Sequence, residues 1–428
     1  MNKQEIIESG RNLHTNSSLS SFRACPRRYY FGFHVGIKKA ESKKALRMGG
    51  AFHLGQEVIS MIPHDLKGEE KQAEIDKAVL AAIADYSDSP PGDMTPAEWA
   101  VEREIVGRML QGWAWRWNEE PMKIIQGEAL FKLPIKNVER NGNLFKVVPG
   151  NGGPPDRLEL YRSGLIDKMC ELQDTRKGIL EHKTTGDSIK QNSDYWIRHK
   201  MSGQVTYYFK AAQDDPNLPN PEFIFYDVIR KPSIAPKKLT IGEFRDYLGI
   251  SYRKGKKTIV PPDAEKLHKY CGEEQEVEIF GKIDLEEPEN TVIEKVLVDG
   301  FEANLVKSGK NTVIEETPTM FGARLMLDMT ERPGMYFARE EITRLENDLK
   351  ELEADVHQTV EMIMFCERTG QWPKNTNACI DPWRCEYLPL CQNNVQVTVE
   401  GDTPQGYERA AFVHPELADR LSPKGTAE

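Results

Sequence analysis

The 428-residue chain lacks any long apolar run. No stretch approaches the roughly 20 uncharged apolar residues that a membrane-spanning helix needs, so we expect no membrane partner. The first residues, MNKQEIIESGRN, also lack the apolar segment of a secretory signal peptide. Together these two absences predict a cytoplasmic protein.

A phosphate-binding P-loop is missing as well, because the pattern G-x4-G-K-S/T occurs nowhere in the chain. This absence excludes a nucleotide-driven motor of that type. Cysteine is scarce, with seven residues, and a reducing compartment disfavours disulfide bonds between them. Cysteines in such a setting indicate metal or cluster ligation rather than a disulfide framework.

Positive charge is in deficit overall, since the net charge is −10, which by itself disfavours nucleic-acid binding. Two segments reverse this balance. Residues 11–47 carry nine Lys or Arg against one acid, and residues 230–257 carry nine against two. Stretches of this kind either neutralise phosphates or form an ordinary solvated face.

The length predicts one large elaborated domain or two closely associated ones. The order of helix-like and strand-like segments up to residue 230 predicts an α/β fold, with a mixed central sheet flanked by helices and with helical and irregular insertions. The predicted regions are an N-terminal helix with a GxxxH motif (1–60), a helical insertion (61–125), a core (126–230), an insertion of unknown shape (231–335), a strand with a long helix and a cysteine trio (336–392), and a peripheral tail (393–428).

Capping signals predict where two of the helices begin. Asn16 or Ser17 is the expected N-cap of the first short helix. Thr95 and Glu98 form a capping box, with Pro96 at the first helical position.

Periodicity predicts two further helices. One is expected from about residue 195 to 212, and apolar residues between 342 and 360 recur at helical spacing, which predicts one long helix through Cys366. The helix that begins at the Thr95 capping box carries several tryptophans, which are expected in the core rather than as stacking platforms: Trp99, Trp113, Trp115 and Trp117.

Chemically active residue types concentrate in GLIDKMCELQDTRKGILEHKTTG. If LIDKMCEL and GILEHKTT are the arms of a hairpin, Asp167 lies on one strand and Glu181 and Lys183 lie on its neighbour. Side chains at i and i+2 share one face of a strand, so this register brings two carboxylates and an ammonium together. Such a set suits Mg²⁺-dependent phosphodiester cleavage, although a solvated strand often carries the same residues.

Two nearby motifs add candidates. In GGAFHLGQE, His53 follows Gly49 by four residues at the expected start of a helix, where a neutral imidazole could approach a metal. In GQVTYY, Gln204 and Tyr208 lie four residues apart on one helical face. All three side chains also have an ordinary structural interpretation.

Together and in this order, SSLSSFRACPRRYYF, GGAFH, GLIDKM with LEHKTT, QVTYY and CIDPWRCEYLPLC resemble the RecB-like branch of the PD-(D/E)XK nucleases, especially its iron-sulfur members. These include AddB-type recombination nucleases, CRISPR adaptation exonucleases and phage-encoded relatives. The resemblance covers about residues 15–55, 160–230 and 335–391, and it implies a restriction-endonuclease-like core. The chain departs from the family pattern in having GLID where a literal Pro-Asp is usual.

The resemblance implies roles for single residues. Asp167 and Glu181 become ligands of Mg²⁺ or Mn²⁺, His53 an additional ligand, and Lys183 the catalytic lysine. Gln204 and Tyr208 become the helix motif that faces DNA.

The resemblance also implies a 4Fe-4S cluster held by Cys25, Cys379, Cys385 and Cys391. Zinc bound by four cysteines is an alternative, but structural zinc sites usually draw on C-x2-4-C pairs, and both steps here are C-x5-C. Many family members carry a C-x2-C step at this place, so the trio itself departs from the pattern. Unligated core cysteines are a third interpretation. The remaining thiols, Cys170, Cys271 and Cys366, are expected as buried small apolar groups.

These expectations describe a metal-dependent deoxyribonuclease, most simply an exonuclease acting on DNA ends in recombination, repair or phage replication. Arg27 and Arg28, in the first basic stretch, would hold the DNA backbone. A helicase or recombination partner would act in trans. The alternatives are a nuclease that trims DNA for CRISPR integration and a non-catalytic DNA-binding scaffold that retains the cluster.

Overall fold

The structure is a computed structural model that describes residues 3–40, 44–63, 66–84, 90, 94–118, 120, 122–135, 138–140, 143–145, 160–247, 252–253, 256–257, 266–282, 292–308, 311–380 and 384–421. All candidate site residues and all seven cysteines lie within these ranges. Two lysines of the predicted basic stretches, Lys43 and Lys254, lie outside the described residues.

The helices in the described ranges are α1 (Lys3–Ser9), α2 (Asn16–Ala24), α3 (Pro26–Tyr29), α4 (Lys44–Ser60), α5 (Gly68–Ala82), α6 (Pro96–Arg116), α7 (Asp194–Lys200), α8 (Gly203–Asp214), α9 (Ile241–Tyr247), α10 (Pro318–Glu331), α11 (Glu346–Thr369), α12 (Leu388–Gln392) and α13 (Ala418–Leu421). A π-helical segment, Tyr30–Val35, continues α3. No helix of the described chain is long and apolar enough to span a bilayer.

The strands in the same ranges are β1 (Leu13–His14), β2 (Ile37–Lys39), β3 (Met122–Pro134), β4 (Val138–Arg140), β5 (Asn143–Phe145), β6 (Tyr161–Leu172), β7 (Lys177–Thr185), β8 (Phe223–Arg230), β9 (Lys238–Thr240), β10 (Tyr252–Arg253), β11 (Lys256–Lys257), β12 (Lys266–Tyr270), β13 (Glu273–Lys282), β14 (Val292–Val298), β15 (Phe301–Glu302), β16 (Leu305–Ser308), β17 (Asn311–Glu315), β18 (Phe337–Ile342) and β19 (Tyr407–Arg409).

The central sheet mixes parallel and antiparallel pairs, as predicted. Its order is β1-β6-β7-β8-β18, and β3 pairs with the other edge of β6. The pairs β1–β6 and β7–β8 are parallel, whereas β3–β6, β6–β7 and β8–β18 are antiparallel. This is the mixed α/β architecture of a restriction-endonuclease-like fold.

Helices cover both faces of the sheet because alternate strand side chains point to opposite sides. On β8, Tyr226 and Val228 pack in one core with α2, α8 and α11. Ile229 packs in a second core with α4, α5, α6 and α10.

The helix boundaries test the local predictions. The capping box of α6 is confirmed: Thr95 Oγ1 accepts from the backbone N–H of Glu98 at 3.2 Å, and Pro96 opens the helix. The predicted N-cap of α2 is wrong by one residue, because Thr15 occupies that place and caps Ser18.

Two helical segments differ from the periodic pattern. The predicted helix over residues 195–212 is two helices, α7 and α8, separated at Met201 and Ser202. The long helix is confirmed, but Leu345 is its exposed N-cap and Ile342 belongs to β18.

The predicted core tryptophans divide between inside and outside. Trp99 and Trp113 are buried and Trp117 is half-buried, whereas Trp115 is 47% exposed. The all-core prediction is therefore wrong for Trp115.

The region predicted as an insertion of unknown shape forms two small antiparallel sheets. One has the order β12-β13-β14-β15 and the other β16-β17-β9. Phe244, Val277, Val298 and Met320 share its core. The same region contains α10, which sequence reasoning missed although Thr317 and Pro318 supply an N-cap and a first-turn proline.

The segment after α12 returns to the N-terminal part of the chain. β19 pairs with β2, and Phe412 and Leu417 pack on Leu13. The Nε2 atom of His414 lies 3.0 Å from the carbonyl oxygen of Leu13. Its low periodicity suggested a peripheral tail, but this segment is docked through side chains that periodicity does not reveal.

Candidate active site

The predicted hairpin of β6 and β7 opens into a fork. Antiparallel pairing runs from Glu171↔Lys177 to Lys168↔Leu180 and then stops, while β7 continues beside β8 as far as Thr185. The same edge of β6 is paired again, with β1, only at residues 161–162. Residues 163–167 of β6 therefore face an opening in the sheet.

Asp167 occupies the first position of the fork. Its Oδ2 atom accepts a hydrogen bond from the backbone N–H of His182 at 2.9 Å. The carboxylate thus accepts from a backbone N–H of β7 that lies beyond the end of the β6–β7 pairing. This bond fixes Asp167 beside the residue that follows Glu181.

Glu181 and Lys183 lie on the same face of β7, as their i, i+2 spacing predicts. The Lys183 ammonium donates to Glu181 Oε1 at 2.5 Å, and the Gln204 amide donates to the same oxygen at 3.1 Å. Gln204 also donates to the hydroxyl of Tyr208 at 3.2 Å. The structure therefore brings both strand residues and both helix residues into one constellation.

His53 approaches the fork from α4. Its Nδ1 atom lies 3.7 Å from Asp167 Oδ2. The prediction that His53 lies at the start of a helix is wrong, because α4 begins at Lys44 and His53 lies in its middle.

Burial and neighbouring charges separate the pKa values of the two carboxyl groups. Burial, followed by the charge of Asp167, raises the pKa of Glu181 to about 7. Burial also acts to raise the pKa of Asp167, but His53 and Lys183 outweigh it, so its pKa is lowered.

The pKa values of the two basic side chains, Lys183 and His53, shift in opposite directions. Burial acts to lower the pKa of Lys183, but the adjacent Glu181 and Asp167 carboxylates outweigh it and raise the pKa. Burial lowers the pKa of His53 more than Asp167 raises it. The site therefore combines a firmly charged ammonium with a neutral imidazole.

The donor set suits a hard divalent cation. Glu181 Oε2 is buried and has no hydrogen-bond partner in the described part of the chain. A buried carboxylate oxygen without a partner is costly unless a cation or water satisfies it. Carboxylate oxygens from Asp167 and Glu181, with the imidazole of His53, match the ligands that Mg²⁺ and Mn²⁺ accept.

Sequence reasoning missed a second polar group on the opposite face of the hairpin. The buried ammonium of Lys168 donates to Gln56 O at 2.8 Å, to Ser60 Oγ at 2.6 Å and to His182 Nε2 at 2.9 Å. His182 Nδ1 lies 3.2 Å from Asp227 Oδ2. Strand alternation could have revealed this group, because Lys168 and His182 each adjoin a site residue in sequence and must therefore point to the opposite face of the strand.

The structure gathers the cysteines predicted to act together. The backbone N–H of Asn375 donates to Cys25 Sγ at 3.3 Å, and Cys379 Sγ donates to the carbonyl of the same Asn375 at 3.8 Å. Burial raises the pKa of Cys391 against the lowering effect of Lys374 and Arg27, and the nearby thiols of Cys25 and Cys385 add to the rise. These contacts place the four cysteines in one neighbourhood of the fold. Across the described ranges, which include both the fork and the cysteines, no three His, Cys, Asp or Glu side chains already stand as a group that could hold a metal ion.

The other three cysteines lie elsewhere. Cys170 and Cys366 are buried, and Cys271 is half-buried in the insertion. Each of the seven is a free thiol.

The two arginines predicted to hold DNA lie beside the cysteines. Arg27 donates to the carbonyl of Trp372 at 2.8 Å, and Arg28 is exposed near Cys385. The contacts of the fork described above are made by other residues. Of the two, Arg28 is the freer to meet solvent or a ligand.

A forked mixed sheet that presents two carboxylates and a lysine defines the class of metal-dependent phosphodiester-cleaving enzymes with a restriction-endonuclease-like fold. The chain belongs to the PD-(D/E)XK nuclease superfamily, whose family model matches residues 15–392. It is therefore a nuclease-type hydrolase of a superfamily that acts on DNA with Mg²⁺ or Mn²⁺. No curated protein matches the chain.

Proposed function

We propose that the protein is a DNA-end exonuclease of the RecB-like iron-sulfur branch, with Asp167, Glu181 and Lys183 as its catalytic residues. The observation that carries the proposal is the meeting of these side chains at the β6–β7 fork, with Gln204 bound to Glu181. The pathway would be recombination, repair or phage replication.

Asp167, Glu181 and His53 would hold the divalent ion. When bound, Mg²⁺ or Mn²⁺ supplies positive charge that polarises the phosphate and acidifies a water. The bond from the His182 N–H orients Asp167, and the Gln204 amide orients Glu181. Both carboxylates are thereby held in place before any substrate arrives.

Lys183 would stabilise negative charge on the phosphoryl oxygens. Its raised pKa keeps the ammonium protonated, so it remains a hydrogen-bond donor throughout the neutral range. Tyr208, linked to Gln204, would present its hydroxyl toward the DNA.

Low sequence specificity is part of this proposal, because the motifs supply phosphate chemistry and no base-reading element. Since the chain has no P-loop, a helicase or recombination partner would supply any motor. The seven free thiols are in keeping with a reducing, cytoplasmic setting.

A 4Fe-4S cluster on Cys25, Cys379, Cys385 and Cys391 completes the proposal. Four cysteine thiolates are the usual ligand set of such a cluster. Its role would be structural, because phosphodiester hydrolysis needs no electron transfer.

The decisive experiment measures release of nucleotides from end-labelled linear DNA with Mn²⁺. Asp167→Asn, Glu181→Gln and Lys183→Met are each expected to lower the rate by at least ~100-fold while DNA binding stays measurable. Asp174→Asn, at the exposed turn of the same hairpin, is the matched control and should keep the parent rate.

Two results would contradict parts of the proposal. An Asp167→Asn, Glu181→Gln double variant that degrades DNA at the parent rate would remove the catalytic assignment. Circular duplex cut as fast as linear duplex would exclude an end-dependent exonuclease and leave a nuclease.

A further inference from the structure

A groove of about 710 Å³ runs along the C-terminal half of α11, where that helix faces the start of α3. Its walls include Phe22 and Arg27 on one side and Lys374 on the other, and Met362, Phe365 and Arg368 of α11 also line it. None of the residues that line the groove belongs to the fork, but the groove borders the cysteine group, because Lys374 bonds the carbonyl of Cys391. Its volume is ample for a nucleotide.

Among the described residues, the cations of the groove make no ion pair with a carboxylate. Arg27 donates to the carbonyl of Trp372, and Lys374 donates to the carbonyl of Cys391 at 3.0 Å. Arg368 has no ion pair among the residues that the structure describes. Bonds to neutral carbonyls do not cancel the positive charges of Arg27 and Lys374, which act both on the nearby Cys391 thiol and on the groove.

One acid, Glu361, lines the groove against these three cations. The local excess of positive charge stands out in a chain whose net charge is −10. It favours an anionic occupant with several phosphates over an acid-poor peptide.

The groove also exposes apolar surface. The side chain of Phe365 is 58% exposed and that of Met362 is 57% exposed, although both lie on a helix whose opposite face is buried. An exposed ring in a groove that also carries cations provides a flat surface on which an unstacked base can rest.

We propose that this groove binds single-stranded DNA, with Phe365 stacking on a base and Arg368, Arg27 and Lys374 contacting phosphates. Duplex DNA keeps its bases stacked on one another, so a duplex cannot use Phe365 in this way. The choice of DNA rests on the proposed function. Binding itself requires no cleavage, so the two proposals fail separately.

The test uses the full-length protein as purified, without added divalent metal, and the fluorescence anisotropy of a labelled oligothymidylate. Phe365→Ala is expected to weaken binding roughly tenfold and to leave the salt dependence unchanged, because it removes stacking. Arg368→Gln is expected to weaken binding and to lower the slope of log K against log salt by about 0.7, because it removes one phosphate contact.

Two exposed residues outside the groove serve as matched controls. Leu80→Ala on α5 and Lys350→Gln near the start of α11 should bind as the parent does. Parent-like binding by both groove variants, or equal weakening by the controls, would overturn the proposal. Either result would favour a protein partner as the occupant of the groove.

A duplex of the same length distinguishes the substrate form. Duplex binding that is as tight and as sensitive to Phe365→Ala would overturn the single-strand assignment. If the parent protein binds the oligonucleotide and the groove variants do not, but no DNA is degraded after Mn²⁺ is added, the groove stands and the nuclease proposal fails.

Discussion

The carboxyl group of Glu181 is buried, yet one of its two oxygens has no partner among the described residues. An unsatisfied buried polar atom commonly costs ~1–3 kcal/mol. Burial, and then the charge of Asp167, raises the pKa of Glu181 to about 7. A cation at the free oxygen would remove both penalties, because it pairs the atom and favours the ionised form.

At this residue scale, Mn²⁺ affinity is expected to depend on pH through Glu181. Below about pH 7 the carboxyl group holds a proton that the metal must displace, so affinity should fall, approaching tenfold per pH unit. Above that pH it should level off. The lowered pKa values of Asp167 and His53 leave both already deprotonated where Glu181 titrates.

Calorimetric Mn²⁺ titrations between about pH 6 and pH 8 measure this dependence. Glu181→Gln is the control and should bind more weakly, without the step near neutrality. A parent protein whose affinity is the same at both ends of this range would contradict the assignment.

At the scale of elements, helix α4 carries His53 to the fork and is held by two different contacts. The Lys168 ammonium on β6 bonds the carbonyl of Gln56 and the hydroxyl of Ser60 near the end of the helix. Gly55 lets α6 approach closely, because a Cβ at this position would clash with the buried side chain of Leu110.

Gly55→Ala is therefore expected to destabilise the protein by about 1–3 kcal/mol, because the buried Leu110 must leave its packed position or α4 must move away from α6. It should also lower nuclease activity, since His53 lies two residues away. Gly50→Ala, on the same helix with nothing within 4 Å of the added Cβ, should be neutral or stabilising by up to ~1 kcal/mol. Urea unfolding of both variants measures the difference, and equal stabilities would refute this account of α4.

Strands β6 and β7 show which parts of the candidate site could be predicted from the sequence and which could not. Alternation along β6 and β7 predicted the hairpin and placed Asp167, Glu181 and Lys183 near one another, because strand periodicity is local. The fork was not predictable, since it depends on β1 replacing β7 beside β6. Two of the buried partners of Lys168, Gln56 and Ser60, were missed for the same reason, because they come from α4, more than 100 residues earlier in the chain.

At the scale of the whole molecule, distant parts of the chain are joined near the cysteines. The backbone N–H of Arg27 donates to Pro373 O at 3.2 Å, and Tyr387 Oη donates to Ile37 O at 2.8 Å. A cluster on the four cysteines would add a covalent link between segments about 350 residues apart in sequence.

Cys25→Ala is expected to abolish the broad absorption near ~400 nm of the proposed cluster, as fully as Cys385→Ala does. The free energy of unfolding should fall by roughly 2–4 kcal/mol, the range seen when a long loop loses its closing link. Cys170→Ala removes a buried thiol on β6 and is the control, so this variant should keep the iron content of the parent protein.

Iron content, metal analysis and thermal unfolding of anaerobic preparations test this prediction. Full iron in the Cys25 variant would exclude that residue as a ligand. One zinc per chain in colourless parent protein would replace the cluster with zinc and keep the link.

Sequence reasoning at this scale depended on recognisable motifs. The proximity of Cys25 to the C-terminal trio followed from the family resemblance, because no local pattern joins residues so far apart. Residues 231–335 and the segment after Cys391 offered no such motif. Their short strands pair with partners that periodicity cannot identify, as β9 does with β17 and β2 does with β19.

The docking of the C-terminal segment on the N-terminal one also affects how the chain folds during synthesis. Phe31 and Val35 emerge early from the ribosome, but their partners Tyr387 and Leu390 are made some 350 residues later. At ~5–20 residues per second, the early apolar surface waits roughly 20 to 70 s for its cover. Exposed apolar surface of this kind is what chaperones recognise on incomplete chains, and a chain truncated before residue 387 never acquires the cover.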